Sequence, residues 1–188
     1  MPDGTRLEAG ASSALVTVPN LITFARLCAV PLAVWLVLQR QIGEAFFLFL
    51  AAGLSDAVDG WLARRGGGSA LGAILDPVAD KALLVTMYVT LAAVNALPDW
   101  LAILVVFRDI VIVGGVLVLA VLGLSVPIRP LMISKLNTAL QITLVALALL
   151  LEGFGLTAPM LLTALIWAVA ASTMVSGTAY VWKAARVR

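Results

Sequence analysis

The sequence predicts an all-α integral membrane protein of six transmembrane helices. Of its 188 residues, 63% are hydrophobic and only 12% charged, whereas soluble domains run nearer half apolar and a quarter charged. Mean hydropathy is +1.12. The apolar residues also fall into runs of about 20, the length that crosses a bilayer core. The runs are separated by "QRQIGE", "RGGGS", "NALPDW", "LSVPIRP" and "EGFGLTAP". These separators hold glycine, proline and charge, which stop helices.

The first span is expected over residues 20–39, the second over 43–65 and the third over 70–94. The fourth covers 99–122, the fifth 131–151 and the sixth 158–182. A single membrane domain, 20–183, then lies between an N-terminal segment, 1–19, and a tail, 184–188. The N-terminus carries Asp3, Arg6 and Glu8, and its first apolar run continues into a full span. It does not read as a cleaved signal peptide.

Basic residues set the expected orientation. Arg6, Arg64, Arg65, Arg129, Lys135, Lys183, Arg186 and Arg188 fall on the side shared by the termini and the loops after the second and fourth spans. The positive-inside rule puts that side in the cytoplasm. A bacterial inner membrane is the expected location, with a mature mitochondrial form the alternative. A net charge of only +2 gives no case for a nucleic-acid partner. Cys28 is the sole cysteine and histidine is absent. A disulfide framework and imidazole chemistry are therefore excluded.

Within this apolar chain, "SDAVDGWLARRGGGSALGAILDPVADK" holds four aspartates: Asp56, Asp59, Asp76 and Asp80. A helix turns about 100° per residue, so Asp56, Asp59, Gly60, Ala63 and Arg64 share an arc of roughly 140°. Gly72, Asp76 and Asp80 share roughly 80° on the next helix. A short loop makes the two helices antiparallel neighbours, so the acidic faces can meet. Such a cluster of carboxylates is untenable in a low-dielectric site without cations. Arg64 and Lys81 could supply part of the charge, and hard dications such as Mg2+ or Mn2+ more of it. A pair of ions would bridge phosphate oxygens. Gly60 and Gly72 leave bare backbone where a ligand must come close. Pro77 is expected to bend the third span just past Asp76.

The stretch resembles the signature of the CDP-alcohol phosphatidyltransferases, D-x2-D-G-x2-A-R, a spacer, and G-x3-D-x3-D. It is met at Asp56, Asp59, Gly60, Ala63, Arg64, Gly72, Asp76 and Asp80. The spacer between Arg64 and Gly72 is one residue shorter than usual, a change confined to the glycine loop. The resemblance implies the six-helix CDP-alcohol phosphotransferase fold, a homodimer, and a short amphipathic segment ahead of the first span. It implies two divalent ions on Asp56, Asp59, Asp76 and Asp80, with Asp80 also the general base. Gly60, Ala63, Arg64 and Gly72 would border the CDP group of CDP-diacylglycerol.

Residues elsewhere bear on the acceptor alcohol. "VPNLITFARL" resembles the start of phosphatidylglycerol-type members, and Asn20, Thr23 and Arg26 could approach the nucleotide. Equally, Asn20 could be an N-cap and Arg26 a snorkelling anchor. Arg108, Arg129, Ser134, Lys135 and Asn137 could form a basic pocket for an anionic acceptor. The alternatives are that Asp109 neutralises Arg108 and that Arg129 and Lys135 are positive-inside anchors. "FRDIVIV" and "RPLMISKLNTALQ" are similar to the cardiolipin synthase branch, whose acceptor is phosphatidylglycerol. Glycerol 3-phosphate, the acceptor of a sister branch, is the other candidate. An intramembrane prenyltransferase would need a longer chain. A cation transporter would place carboxylates nearer the bilayer midplane.

Overall fold

The computed structural model describes residues 18–66, 70–121 and 132–185. Among them it forms six α-helices and no strand. These are α1 (Val18–Leu38), α2 (Ile42–Gly66), α3 (Ala70–Ala93), α4 (Asp99–Val121), α5 (Met132–Gly153) and α6 (Pro159–Ala185). Their ends agree with the expected spans to within three residues. The chain divides into two compact units, residues 1–86 and 87–188.

Three connections stop their helices in the same way. Each passes through a left-handed residue: Arg40 (φ 61°), Asn95 (φ 62°) and Gly155 (φ 63°). After α1, the amides of Arg40 and Gln41 return to the carbonyls of Val37 and Leu36 at 3.0 and 2.9 Å. After α3, those of Asn95 and Ala96 return to Ala92 and Leu91 at 2.8 and 2.9 Å. After α5, Leu156 returns to Leu151 at 2.8 Å. This pattern satisfies terminal carbonyls that lipid could not. Glycine and asparagine adopt the conformation readily, while Arg40 takes it despite its Cβ. Proline marks the start of two of the helices that follow, α4 and α6. Pro98 accepts the Leu101 amide at 3.1 Å. Pro159 opens α6, where its fixed φ suits the first turn and its missing N–H is not needed.

In the first unit α1 packs against α2. Their buried positions include the small Ala33, Val37, Ala45 and Ala52 beside the larger Leu36, Ile42 and Phe49. Small side chains let helix backbones approach closely. In the second unit α6 packs against both α4 and α5. Its core comprises Leu101, Val105, Leu144, Val145, Leu149 and Val169.

On two helices of the second unit, large apolar side chains face out while polar ones join the apolar core. Along α4, Ile103, Phe107, Ile110 and Val113 are exposed, while Arg108 and Asp109 are buried. Along α5, Met132, Leu136 and Ile142 face out, while Asn137 and Gln141 are fully buried. Water would penalise both choices; hydrocarbon favours both. This is the surface of a protein that lives in lipid. Among the described residues, α5 and Pro159–Tyr180 of α6 are long and apolar enough to cross a membrane. Phe24–Leu38 and Ile42–Ser55 are shorter apolar stretches.

Packing and lipid contact should separate in unfolding experiments in detergent. Leu149→Ala, at a fully buried position, is expected to lower stability by about 2–5 kcal/mol. Ile103→Ala, at a position 67% exposed, should change it by no more than about 0.5 kcal/mol.

Candidate functional site

The signature aspartates stand on two continuous helices. Positions 56, 59, 60, 63 and 64 belong to α2, and positions 72, 76 and 80 to α3. The backbone therefore keeps the helical spacing that puts each set on one face. Helix α3 runs through Pro77. The side chains of Asp56, Asp59, Ala63, Arg64 and Asp76 lie outside the described ones, as do the surroundings of Gly60 and Gly72. Asp80 and its neighbour Lys81 are described, and both are half-buried. Among the described residues no three of His, Cys, Asp or Glu converge; Asp80 is the one member of the quartet with a described side chain. The donor set itself is all carboxylate oxygen, without thiol or imidazole, which fits a hard dication.

The first helix corrects two readings. It is already helical at Val18 and Pro19, so Asn20 lies inside α1 rather than at its N-cap. Arg26 is 3% exposed, so it is buried in the unit and does not snorkel to the surface. The side chains of Asn20 and Thr23 lie outside the described ones.

The second unit holds a polar cluster at the meeting of α4, α5 and α6. Arg108 is 5% exposed. Its Nη1 donates to Asp109 Oδ1 at 2.6 Å. Its Nη2 donates to Ser134 Oγ on α5 at 2.8 Å and to Ser176 Oγ on α6 at 2.6 Å. Gly177 lies alongside the stem of Arg108, where an added Cβ would sit 3.6 Å from Cγ. One turn further along α5, Asn137 Oδ1 accepts from Ser172 Oγ at 2.7 Å and Thr173 Oγ1 at 2.9 Å. Gln141 follows on the same face, and its backbone carbonyl accepts from the Tyr88 hydroxyl at 3.3 Å. Among the described residues, Arg108 Nε, Asn137 Nδ2 and both polar atoms of the Gln141 amide are buried without a hydrogen-bond partner.

The structure thus brings Arg108 and Ser134 together. Asp109 pairs with Arg108, as one of the sequence alternatives had it. Lys135 is exposed, because one residue along a helix rotates a side chain by about 100° away from Ser134. Asn137 shares the inner face of α5 but is turned to the α6 hydroxyls instead of to Arg108. Arg129 lies outside the described residues. Sequence reasoning singled out none of Ser172, Thr173 and Ser176. Their signal was present: at about 100° per residue, hydroxyls at i, i+1 and i+4 fall within an arc of about 100°.

A buried arginine that loses its head group leaves a buried carboxylate behind. Arg108→Met is therefore expected to destabilise the protein by about 3–5 kcal/mol. Adding Asp109→Leu should recover part of that loss. Thermal unfolding in detergent of the two single variants and the double variant checks the sign of the coupling.

Comparison with known proteins agrees with the signature. Residues 16–175 match the family model described as CDP-alcohol phosphatidyltransferase. The chain is 32% identical over 181 residues to cardiolipin synthase (CMP-forming) of Rattus norvegicus, covering 87% of this chain and 60% of that protein. It is 35% identical over 182 residues to a cardiolipin synthase (CMP-forming) / mitochondrial hydrolase fusion protein of Schizosaccharomyces pombe, covering 88% of this chain and 31% of that one. It is also 30% identical over 184 residues to CDP-diacylglycerol--glycerol-3-phosphate 3-phosphatidyltransferase of Bacillus subtilis, covering 88% of this chain and 94% of that protein. The chain thus spans less than two thirds of the length of the rat and fission-yeast proteins. With the signature on α2 and α3 and the family match over most of its length, this chain belongs to the CDP-alcohol phosphatidyltransferase family.

Proposed function

We propose that this protein is an enzyme that transfers a phosphatidyl group from CDP-diacylglycerol to phosphatidylglycerol, forming cardiolipin and CMP. The observation that carries the reading is the complete aspartate signature, placed by sequence on two successive helices. The rat and fission-yeast relatives, both named cardiolipin synthase, support the choice of acceptor. The Bacillus relative supports a second reading, in which glycerol 3-phosphate is the acceptor and phosphatidylglycerophosphate the product.

In this proposal Asp56, Asp59, Asp76 and Asp80 hold two divalent ions, Mg2+ or Mn2+. When bound, the ions neutralise the pyrophosphate and the charge on departing CMP. Gly60, Ala63, Arg64 and Gly72, with Asn20 and Thr23, border the CDP group. The glycines leave backbone bare for close approach, and Arg64 contributes a cation. Asp80 takes the proton of the acceptor hydroxyl as that oxygen attacks the lipid-bearing phosphorus. The bond from that phosphorus to the CMP phosphate breaks as the new ester forms. Arg108 and Ser134 receive the anionic part of the acceptor, with Arg129, Lys135 and Asn137 assigned to the same role from sequence. The enzyme works as a homodimer of six-span subunits, with both termini and the active site on the cytoplasmic side of a bacterial inner membrane.

Purified protein in detergent should release CMP from CDP-diacylglycerol only when acceptor and Mg2+ or Mn2+ are both present. Chelation should stop the release, and added metal should restore it. Cardiolipin formed from phosphatidylglycerol, with no product from glycerol 3-phosphate, is the expected result; the reverse selects the second reading. Asp80→Asn should reduce turnover by at least about a hundredfold, the scale of a lost general base, while the protein stays folded.

A further inference from the structure

We infer that Ser176, on α6, is a positioning residue that sets the affinity of the enzyme for its anionic acceptor by fixing the guanidinium of Arg108. The inference rests on the proposed role of Arg108 in receiving that acceptor. A guanidinium has five N–H donors in one plane. Two belong to Nη2, and they meet two hydroxyl oxygens on two different helices, Ser134 Oγ at 2.8 Å and Ser176 Oγ at 2.6 Å. A third, on Nη1, meets Asp109 Oδ1 at 2.6 Å. The plane is thus held from α5, α6 and its own helix. Among the described residues, Nε–H has no acceptor although it is buried.

That donor is oriented by the others, because rotation about the stem would break the contacts to Ser134 and Ser176 together. Gly177, the neighbour of Ser176, lies beside the stem, where an added Cβ would meet Arg108 Cγ at an ordinary contact distance of 3.6 Å. The chemical type of the contacts also matters. Hydroxyls accept from Nη2 without adding negative charge, whereas a second carboxylate there would make the site repel an anion. An oxygen of an acceptor phosphate or phosphodiester arriving at Nε–H would complete the set with a charge-assisted hydrogen bond.

The test is steady-state kinetics of CMP release by full-length protein in detergent micelles. Phosphatidylglycerol and glycerol 3-phosphate are tried as acceptors, and each substrate is varied in turn. Ser176→Ala is expected to raise the KM for the acceptor by about tenfold, the scale of one hydrogen bond to a charged group. The kcat and the KM for CDP-diacylglycerol should stay within about twofold of wild type. Ser176→Thr, which keeps the hydroxyl, should restore most of the acceptor KM. Ser134→Ala reports on the same nitrogen from α5 and should shift the same constant, which keeps the test available if Ser176→Ala does not accumulate. An unchanged acceptor KM overturns the inference alone. So does an equal loss in every constant, as a merely structural role would give. Wild-type protein that releases no CMP with either acceptor overturns the proposed function, and the inference with it.

Discussion

A guanidinium kept away from water among apolar helices is the constraint on which the second unit depends. Arg108 sits in a segment whose exposed positions are Ile103, Phe107, Ile110 and Val113. The cost of desolvating its charge is large. It is offset by the oxygens its donors find, and three of the five meet oxygens on α4, α5 and α6 together. The three helices therefore cannot slide or rotate independently without stranding the charge. A nonpolar residue at this position would have packed at less cost. Its Nε–H is unengaged among the described residues, which is consistent with the acceptor-binding role proposed for it.

The rest of the second unit follows the same logic. Hydrogen bonds cannot be made to lipid, so the polar groups of α5 and α6 turn towards one another. Asn137 meets Ser172 and Thr173, Tyr88 meets the Gln141 carbonyl, and Ser134 and Ser176 meet Arg108. Contacts between apolar helices have little hydrophobic driving force in a bilayer, because lipid tails are equally apolar. Close packing and these few polar bonds hold the helices in register. The helix ends obey the same rule: the left-handed residues after α1, α3 and α5 return carbonyls to backbone amides.

The two functional groups of residues differ in kind. The aspartates form a local signature, complete within residues 56–80 and carried by two successive helices. Their spacing alone says that carboxylates share a face. The Arg108 cluster is distributed: its members come from positions 108, 109, 134 and 176. A chemistry common to a family can reside in the first kind of motif, and a preference for one acceptor can reside in the second.

By itself the sequence determined the helical class, the positions of the six helices and the aspartate signature. Each of these is local information: hydrophobic run length, breakers between runs, and residues three and four apart on one helix. It also placed Arg108 within the fourth apolar run, where a charge is costly unless it is paired. Only the tertiary structure decided what Arg108 touches, because Ser176 lies 68 positions away in the chain and no periodicity links the two. The same reason separates Lys135, which faces out, from Ser134, which faces in, although the two are adjacent. It also turns Asn137 towards α6 and buries Arg26. Side-chain chemistry could be read from the chain; which helix each side chain meets depended on how the helices pack.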